Sequence, residues 1–222
     1  MQLSVSDNVN FKSRNETIRF ADSIMRKVKE NYPVISATRV DCFQYVHSSY
    51  NLEVRLHGRC NIMRKETVLN FDAAKTLDEK ILSLVLPIKK YHSANCGEFG
   101  LLSAIASKVN GLKNSYPVIV KTFEGKTLDH AALYVKDKKP YIIDSWLGFA
   151  DYVPNTATRY RTEFLRFFDG LWINDKVVFV KQNNQYCNYI NEITSDEQIN
   201  TLKILFPELI INKPAKISQK NI

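Results

Sequence analysis

Apolar residues recur at steps of three and four through Ile18, Ala21, Ile24, Met25 and Val28, the period of one helix face. Asn15 is placed to cap that run and Pro33 to stop it, so the pattern predicts an amphipathic helix over residues 16–31. From Ile35 to Phe71 the pattern changes to β-branched and aromatic runs, Val40 to Val46, Leu52 to Leu56 and Thr67 to Phe71, with the turn-like Ser48-Ser49-Tyr50-Asn51 among them. Such runs predict a hairpin or small meander. Helical spacing returns over 76–90 through Leu77, Ile81, Leu84, Val85 and Ile88, and again over 96–109, with a break at Tyr91 to Asn95.

Beyond Gly111 lie three strand-like segments, Tyr116 to Thr122, His130 to Val135 and Tyr141 to Trp146, separated by a turn at Gly125 and by Asp137-Lys138-Lys139-Pro140. Connections this short join antiparallel strands. A helix is predicted over 156–169, a strand over 176–181, a helix over 195–206 and a polar, frayed tail over 212–222. Helices followed by a run of strands make an α+β fold. The expected organisation is an N-terminal helix-and-hairpin extension over 1–75 packed on a core of 76–211, followed by the tail.

Composition narrows this picture without choosing a function. A chain of 222 residues, 45% hydrophobic and 24% charged, has the make-up of a soluble globular protein rather than a disordered or coiled-coil one. No segment has the roughly 20 apolar residues of a membrane span, and the N-terminus lacks the apolar core of a signal peptide. Four cysteines, Cys42, Cys60, Cys96 and Cys187, are too widely spaced for a disulfide framework and suit a reduced compartment. The net charge, 31 − 23 = +8, leaves nucleic acid, an anionic membrane surface or an acidic protein open as partners. The basic residues Lys136, Lys138, Lys139, Arg159 and Arg161 are scattered rather than striped, and Tyr160, Phe164 and Phe168 at steps of four read as a buried helix face. No nucleic acid is therefore expected, and an acidic protein substrate is favoured. Cys42, His47, His57 and Cys60 are zinc-type ligands, but odd spacings of 47 − 42 = 5 and 60 − 57 = 3 put each pair on opposite faces of a strand. No metal site is expected.

One cysteine sits where a nucleophile should. With Asn95 as N-cap, Cys96 opens a helix and Glu98 stands at its third position, an asparagine version of the capping box. The thiol then lies beside the free N–H groups of the first turn, where the helix dipole favours a thiolate. Gly97 and Gly100 leave room beside the sulfur for a substrate carbonyl, and the backbone N–H of Cys96 is a ready oxyanion donor. A thiol nucleophile needs a base and a group to orient that base. His130 opens one predicted strand and Asp144 closes the next. Their separation, 144 − 130 = 14, is even, so both side chains share a face whether residue 130 lies opposite 146 or 144.

Asn95-Cys96-Gly97-Glu98, Asp129-His130-Ala131-Ala132-Leu133-Tyr134-Val135 and Tyr141-Ile142-Ile143-Asp144-Ser145-Trp146 resemble the papain-like and transglutaminase-like Cys-His-Asp enzymes, above all their bacterial effector and toxin branch. The resemblance covers roughly residues 91–150. It implies a papain-like or transglutaminase-like core with Cys96 as nucleophile, His130 as base, Asp144 as orienting acid and Trp146 as a pocket or packing residue. Papain-like enzymes place a glutamine before the cysteine as oxyanion donor; here Gln44 is the nearest, so Asn95, His92 or a backbone N–H takes that role. The resemblance further implies glutamine deamidation or proteolysis of a host or acidic protein substrate, with transglutaminase or deubiquitinase chemistry as the alternative on the same residues. It implies no metal or organic cofactor, a monomer, and delivery into a host cell by a specialised secretion system, or otherwise a cytoplasmic protein. A non-enzymatic basic module is the remaining alternative.

Overall fold

The structure, a computed structural model, describes residues 16–36, 50–122, 127–165 and 177–212. In chain order these form α1 (Glu16–Asn31), α2 (Tyr50–Ala73), α3 (Leu77–Tyr91), α4 (Cys96–Val109), β1 (Ser115–Thr122), β2 (Thr127–Val135), β3 (Tyr141–Asp144), β4 (Phe149–Tyr152), α5 (Val153–Leu165), β5 (Val177–Lys181), α6 (Gln185–Glu192), α7 (Asp196–Leu205) and a short 3₁₀ turn, Pro207–Leu209. The fold is mixed α+β, with helices packed on an antiparallel sheet ordered β4-β3-β2-β1-β5.

The first helix follows its periodicity, burying Ile18, Ala21, Ile24 and Val28 with Glu16 and Lys29 at the ends that suit the helix dipole. The expected hairpin is not there. Its described part, Leu52 to Leu56 and Thr67 to Phe71, lies in the 24-residue helix α2, while Val40 to Val46 and Ser48-Ser49 fall outside the described residues. Buried Leu56, Cys60, Met63 and Phe71 are spaced for a helix, and Thr67 returns its hydroxyl to the Met63 carbonyl one turn back at 3.0 Å. Val54, Ile62, Val68 and Leu69 are exposed, so apolar residues surround this helix and blur its period. The described N-terminal region thus holds two helices, α1 and α2, and Gly58 lies mid-helix in α2.

A capping box starts α3, with Thr76 Oγ1 accepting from the Glu79 N–H at 3.2 Å and Glu79 Oε2 accepting from the Thr76 N–H at 3.1 Å. The helix stops at His92, whose φ of 46° is left-handed. Four residues later α4 begins. It lies against β2 and β1, close enough that Gly100 faces the Ala132 carbonyl, where an added Cβ would sit 3.6 Å from the oxygen. Gly100 therefore belongs to the helix–sheet contact rather than to an approach path beside the sulfur. Gly97, by contrast, has open space where a Cβ would stand.

Strands β2 and β3 pair as Leu133 with Ile143, Tyr134 with Ile142 and Val135 with Tyr141. Each pair sums to 276, which carried to the strand ends sets 276 − 130 = 146 opposite His130 and leaves Asp144 its diagonal neighbour on the same face. On its other side His130 pairs with Val120, next to a bulge between Val120 and Lys121. The predicted strand to Trp146 ends at Asp144 instead, and the chain returns as β4. The reversal is made by Asp144 itself: Oδ1 accepts from the Leu147 N–H and its carbonyl from the Gly148 N–H, both at 2.8 Å. Gly148 adopts φ 93°, a conformation that favours glycine, and a Cβ there would meet Lys29 Nζ at 2.7 Å. Helix α6 was unassigned from sequence. One apolar cluster runs from Ile18 in α1 through the sheet to Leu209.

Candidate active site

Cys96 is the first residue of α4, with Asn95 as its extended N-cap. Glu98 Oε2 accepts from the Asn95 N–H at 2.8 Å, and the Asn95 carbonyl accepts from Phe99 at 3.0 Å, so the helix start is held as the sequence motif requires. Glu98 is itself clamped by Arg64 of α2, with Nε at 2.7 Å and Nη2 at 3.1 Å. This bidentate pair joins α2 to the first turn of α4. Of the three cysteines among the described residues, Cys60 and Cys187 are buried and Cys96 is not. Burial pushes the Cys187 thiol up to about 11. It also raises Cys60, with the charge of Glu98 adding and Arg64 and Ser93 opposing. Those two thiols are unfavourably placed to ionise. Cys42 lies outside the described residues.

His130 is buried, and its Nε2 meets Asp144 Oδ2 at 2.5 Å. Burial lowers the pKa of this ring, but the charge and hydrogen bond of Asp144 outweigh it. A hydrogen bond with Cys96 and the Cys96 charge act in the same upward direction, and the result is about 10. With Nε2 committed to Asp144, Nδ1 is the ring's other nitrogen. The ring packs between two aromatic side chains, Trp146 at 5.2 Å between centroids and Tyr160 at 5.7 Å. Asp144, 1% exposed, spends its other oxygen on the turn described above. One carboxylate thus both closes the β3–β4 turn and orients the imidazole.

Trp146 has a second contact, through its indole N–H to Ser36 Oγ at 2.8 Å. Ser36 passes its own proton to Asn95 Oδ1 at 3.0 Å, and Asn95 Nδ2 lies 3.8 Å from Cys60 Sγ. Asn95 is therefore engaged on the inner side of the helix cap, in contact with Ser36 and Cys60. A buried relay fixes the cap of the Cys96 helix against the tryptophan that packs on His130. Ser36→Ala is expected to lower stability by about 1–3 kcal/mol, because two buried polar partners lose the hydroxyl between them. Urea unfolding checks the value, and an unchanged midpoint would show that the relay contributes nothing.

His92 is exposed and serves as the end of α3, its carbonyl accepting from Ile35 at 3.1 Å. Its described contacts lead to Ile35 and not to Cys96, His130 or Asp144. Three residues at the site were not singled out from the sequence. Tyr160 was read only as a buried helix face, and Arg64 and Ser36 come from segments read as a hairpin. His57 and Cys60 fall on α2, where a step of three makes neighbours, so the strand argument against a metal does not hold for them. Cys60 is buried against Asn95, and no cluster of three or more His, Cys, Asp or Glu side chains suited to a metal occurs among the described residues. No described helix is long and apolar enough to cross a membrane. Compared with family models, curated proteins and solved structures, the chain matches none.

Proposed function

We propose that this chain is a papain-like or transglutaminase-like thiol enzyme that uses Cys96, His130 and Asp144 for acyl transfer from a carboxamide or peptide carbonyl of a protein. The observation that carries the reading is the buried His130–Asp144 pair, with Cys96, the one partly exposed described thiol, acting on the same ring. In the proposed reaction the Cys96 proton passes to His130 and the sulfur attacks the carbonyl carbon. The backbone N–H of Cys96, at the helix start, is the donor available to the oxyanion. His130 returns its proton to the departing nitrogen, which leaves as ammonia from a glutamine or as an amine from a peptide. Water, losing a proton to His130, attacks the thioester; the acid is released and the sulfur regains a proton. An amine in place of water would give transglutamination on the same residues.

Trp146 and Tyr160 shield the ring from solvent, which strengthens the electrostatic coupling to Asp144. The +8 charge would draw an acidic protein toward the site. Delivery of the enzyme into a host cell belongs to the same reading and rests on the sequence resemblance.

An activated ester tests the chemistry without a known substrate. Incubation with p-nitrophenyl acetate should place a single acetyl group on the Cys96 peptide, detected by mass, which hydroxylamine removes. Adducts spread equally over Cys42, Cys60, Cys96 and Cys187 would defeat the proposal. Intact-mass screening of acidic candidate proteins then separates amide-to-acid exchange, amine adducts and chain cleavage.

A further inference from the structure

We propose that the cavity bounded by α2, α3 and α4 is a binding site for a small apolar carboxylic acid, whose ring or tail fills the cavity while its carboxylate accepts from Arg64. The cavity holds about 250 Å³, and Met63, Val68, Leu84, Ile88 and Leu101 supply its apolar walls. Met63, Leu84 and Ile88 are core residues, so packing fixes these walls before any ligand arrives. Val68, 41% exposed, opens the cavity to solvent. Tyr186 of α6 closes one side, its ring edge-on to Phe71 at 4.9 Å. An apolar cavity of about 150 Å³ accepts benzene, so this one has room for a ring with a short chain. Glu98 and Leu101, three residues apart, share one face of α4, whereas Gly100 faces the Ala132 carbonyl. The cavity is therefore on a different side of the Cys96 helix from the sheet that carries His130, and its ligand is not the acyl substrate.

The polar end of the cavity decides the ligand's head group. Thr67 lines it, but its hydroxyl is spent on the Met63 carbonyl at 3.0 Å. What remains is the Arg64–Glu98 pair. Glu98 is nearly saturated: Oε1 accepts from Arg64 Nε, and Oε2 accepts from Arg64 Nη2 and from the Asn95 N–H. Arg64 is not. A guanidinium carries five N–H donors, and the Nη1 pair has no hydrogen-bond partner among the described residues. The Arg64 side chain is 49% exposed, so these donors can be reached from solvent. A ligand whose polar end accepts hydrogen bonds suits this rim, and one whose polar end only donates does not. Among acceptors a carboxylate makes the strongest, charge-assisted bond to a guanidinium, and the +8 charge of the chain favours an anion.

The probe is 3-phenylpropionate, titrated into the full chain labelled at its Leu, Ile and Val methyl groups and followed by NMR. Saturable shifts should gather on Val68, Leu84, Ile88 and Leu101, their signals assigned by single conservative substitutions. 3-Phenylpropanol, with the same ring and chain but no carboxylate, should bind about tenfold more weakly or worse, the loss of one hydrogen bond to a charged group. Arg64→Gln should erase that difference between the acid and the alcohol. Val68→Phe, which fills the mouth from an exposed position, should weaken 3-phenylpropionate by about tenfold or more. Shifts that do not saturate at millimolar probe, shifts scattered over the surface, or equal affinities for acid and alcohol overturn the proposal. Should Arg64→Gln fail to fold, the unaltered chain and Val68→Phe still decide, and an unchanged affinity in Val68→Phe overturns it. No measurement involves Cys96, so the result stands or falls separately from the thiol-enzyme reading.

Discussion

His130→Ala is expected to slow acetylation of Cys96 by p-nitrophenyl acetate by roughly 10²–10⁴-fold, the usual contribution of a positioned acid–base group. Two effects combine. The sulfur loses the ring that carries the transferred proton beside it, and Asp144, buried and deprived of its imidazole, leaves an uncompensated negative charge near the sulfur. The pH profile separates them from a general loss of structure. In the unaltered protein the His130 ring holds its proton up to about 10, so the rate should change as pH passes through that value. The variant should lose that change. Peptide mass spectrometry gives rates for Cys60 and Cys187 in the same sample, and these should not change. An unaltered Cys96 rate in a folded His130→Ala protein would remove His130 from the mechanism.

What could be read from the sequence depended on whether the physical signal was local. Helix α4 was legible because its cap is written in four consecutive residues, Asn95 to Glu98, and the structure uses the Glu98 half of that box as read. The His130–Asp144 contact was legible because strand alternation makes an even spacing a statement about faces, and the observed pairing is the register that sets 146 opposite 130. Helix α2 was not. Its exposed Val54, Ile62, Val68 and Leu69 mimic strand runs, and only tertiary burial of Leu56, Cys60, Met63 and Phe71 decides for the helix. Losing α2 also lost Arg64, whose partner Glu98 lies 98 − 64 = 34 residues on, and a hydrogen bond over that distance leaves no periodic trace. Ser36 was hidden for the same reason, since its partners are Asn95 and Trp146. Tyr160 was placed correctly as buried, but spacing along a helix tells nothing of what a phenol faces across the core.

Asp144→Asn is expected to lower the Cys96 acylation rate by up to roughly 10⁴-fold, as loss of the orienting charge does in other nucleophile–histidine–acid sites. Asparagine keeps the shape and can still close the turn to Leu147, so the fold has little reason to change. The charge is what disappears. Burial is the largest influence on His130 and lowers its pKa, and without Asp144 only Cys96 still opposes it. The ring should then be neutral at neutral pH. Stability gives an independent reading through proton linkage. In the unaltered protein the folded pKa of about 10 lies above histidine's ordinary value of 6.5, so the folded state binds the extra proton between them. The stabilisation is complete below about pH 6.5 and is lost as pH rises through about 10, with a slope of at most about 1.4 kcal/mol per pH unit for one proton. In Asp144→Asn that slope should vanish, and stability should instead fall on acidification below about pH 6.5 because a buried neutral imidazole resists protonation. Urea unfolding from pH 6 to 10 on both proteins reads the difference. Parallel stability curves would mean that Asp144 does not hold a proton on His130, and a lost rate with parallel curves would assign the acid to geometry rather than charge.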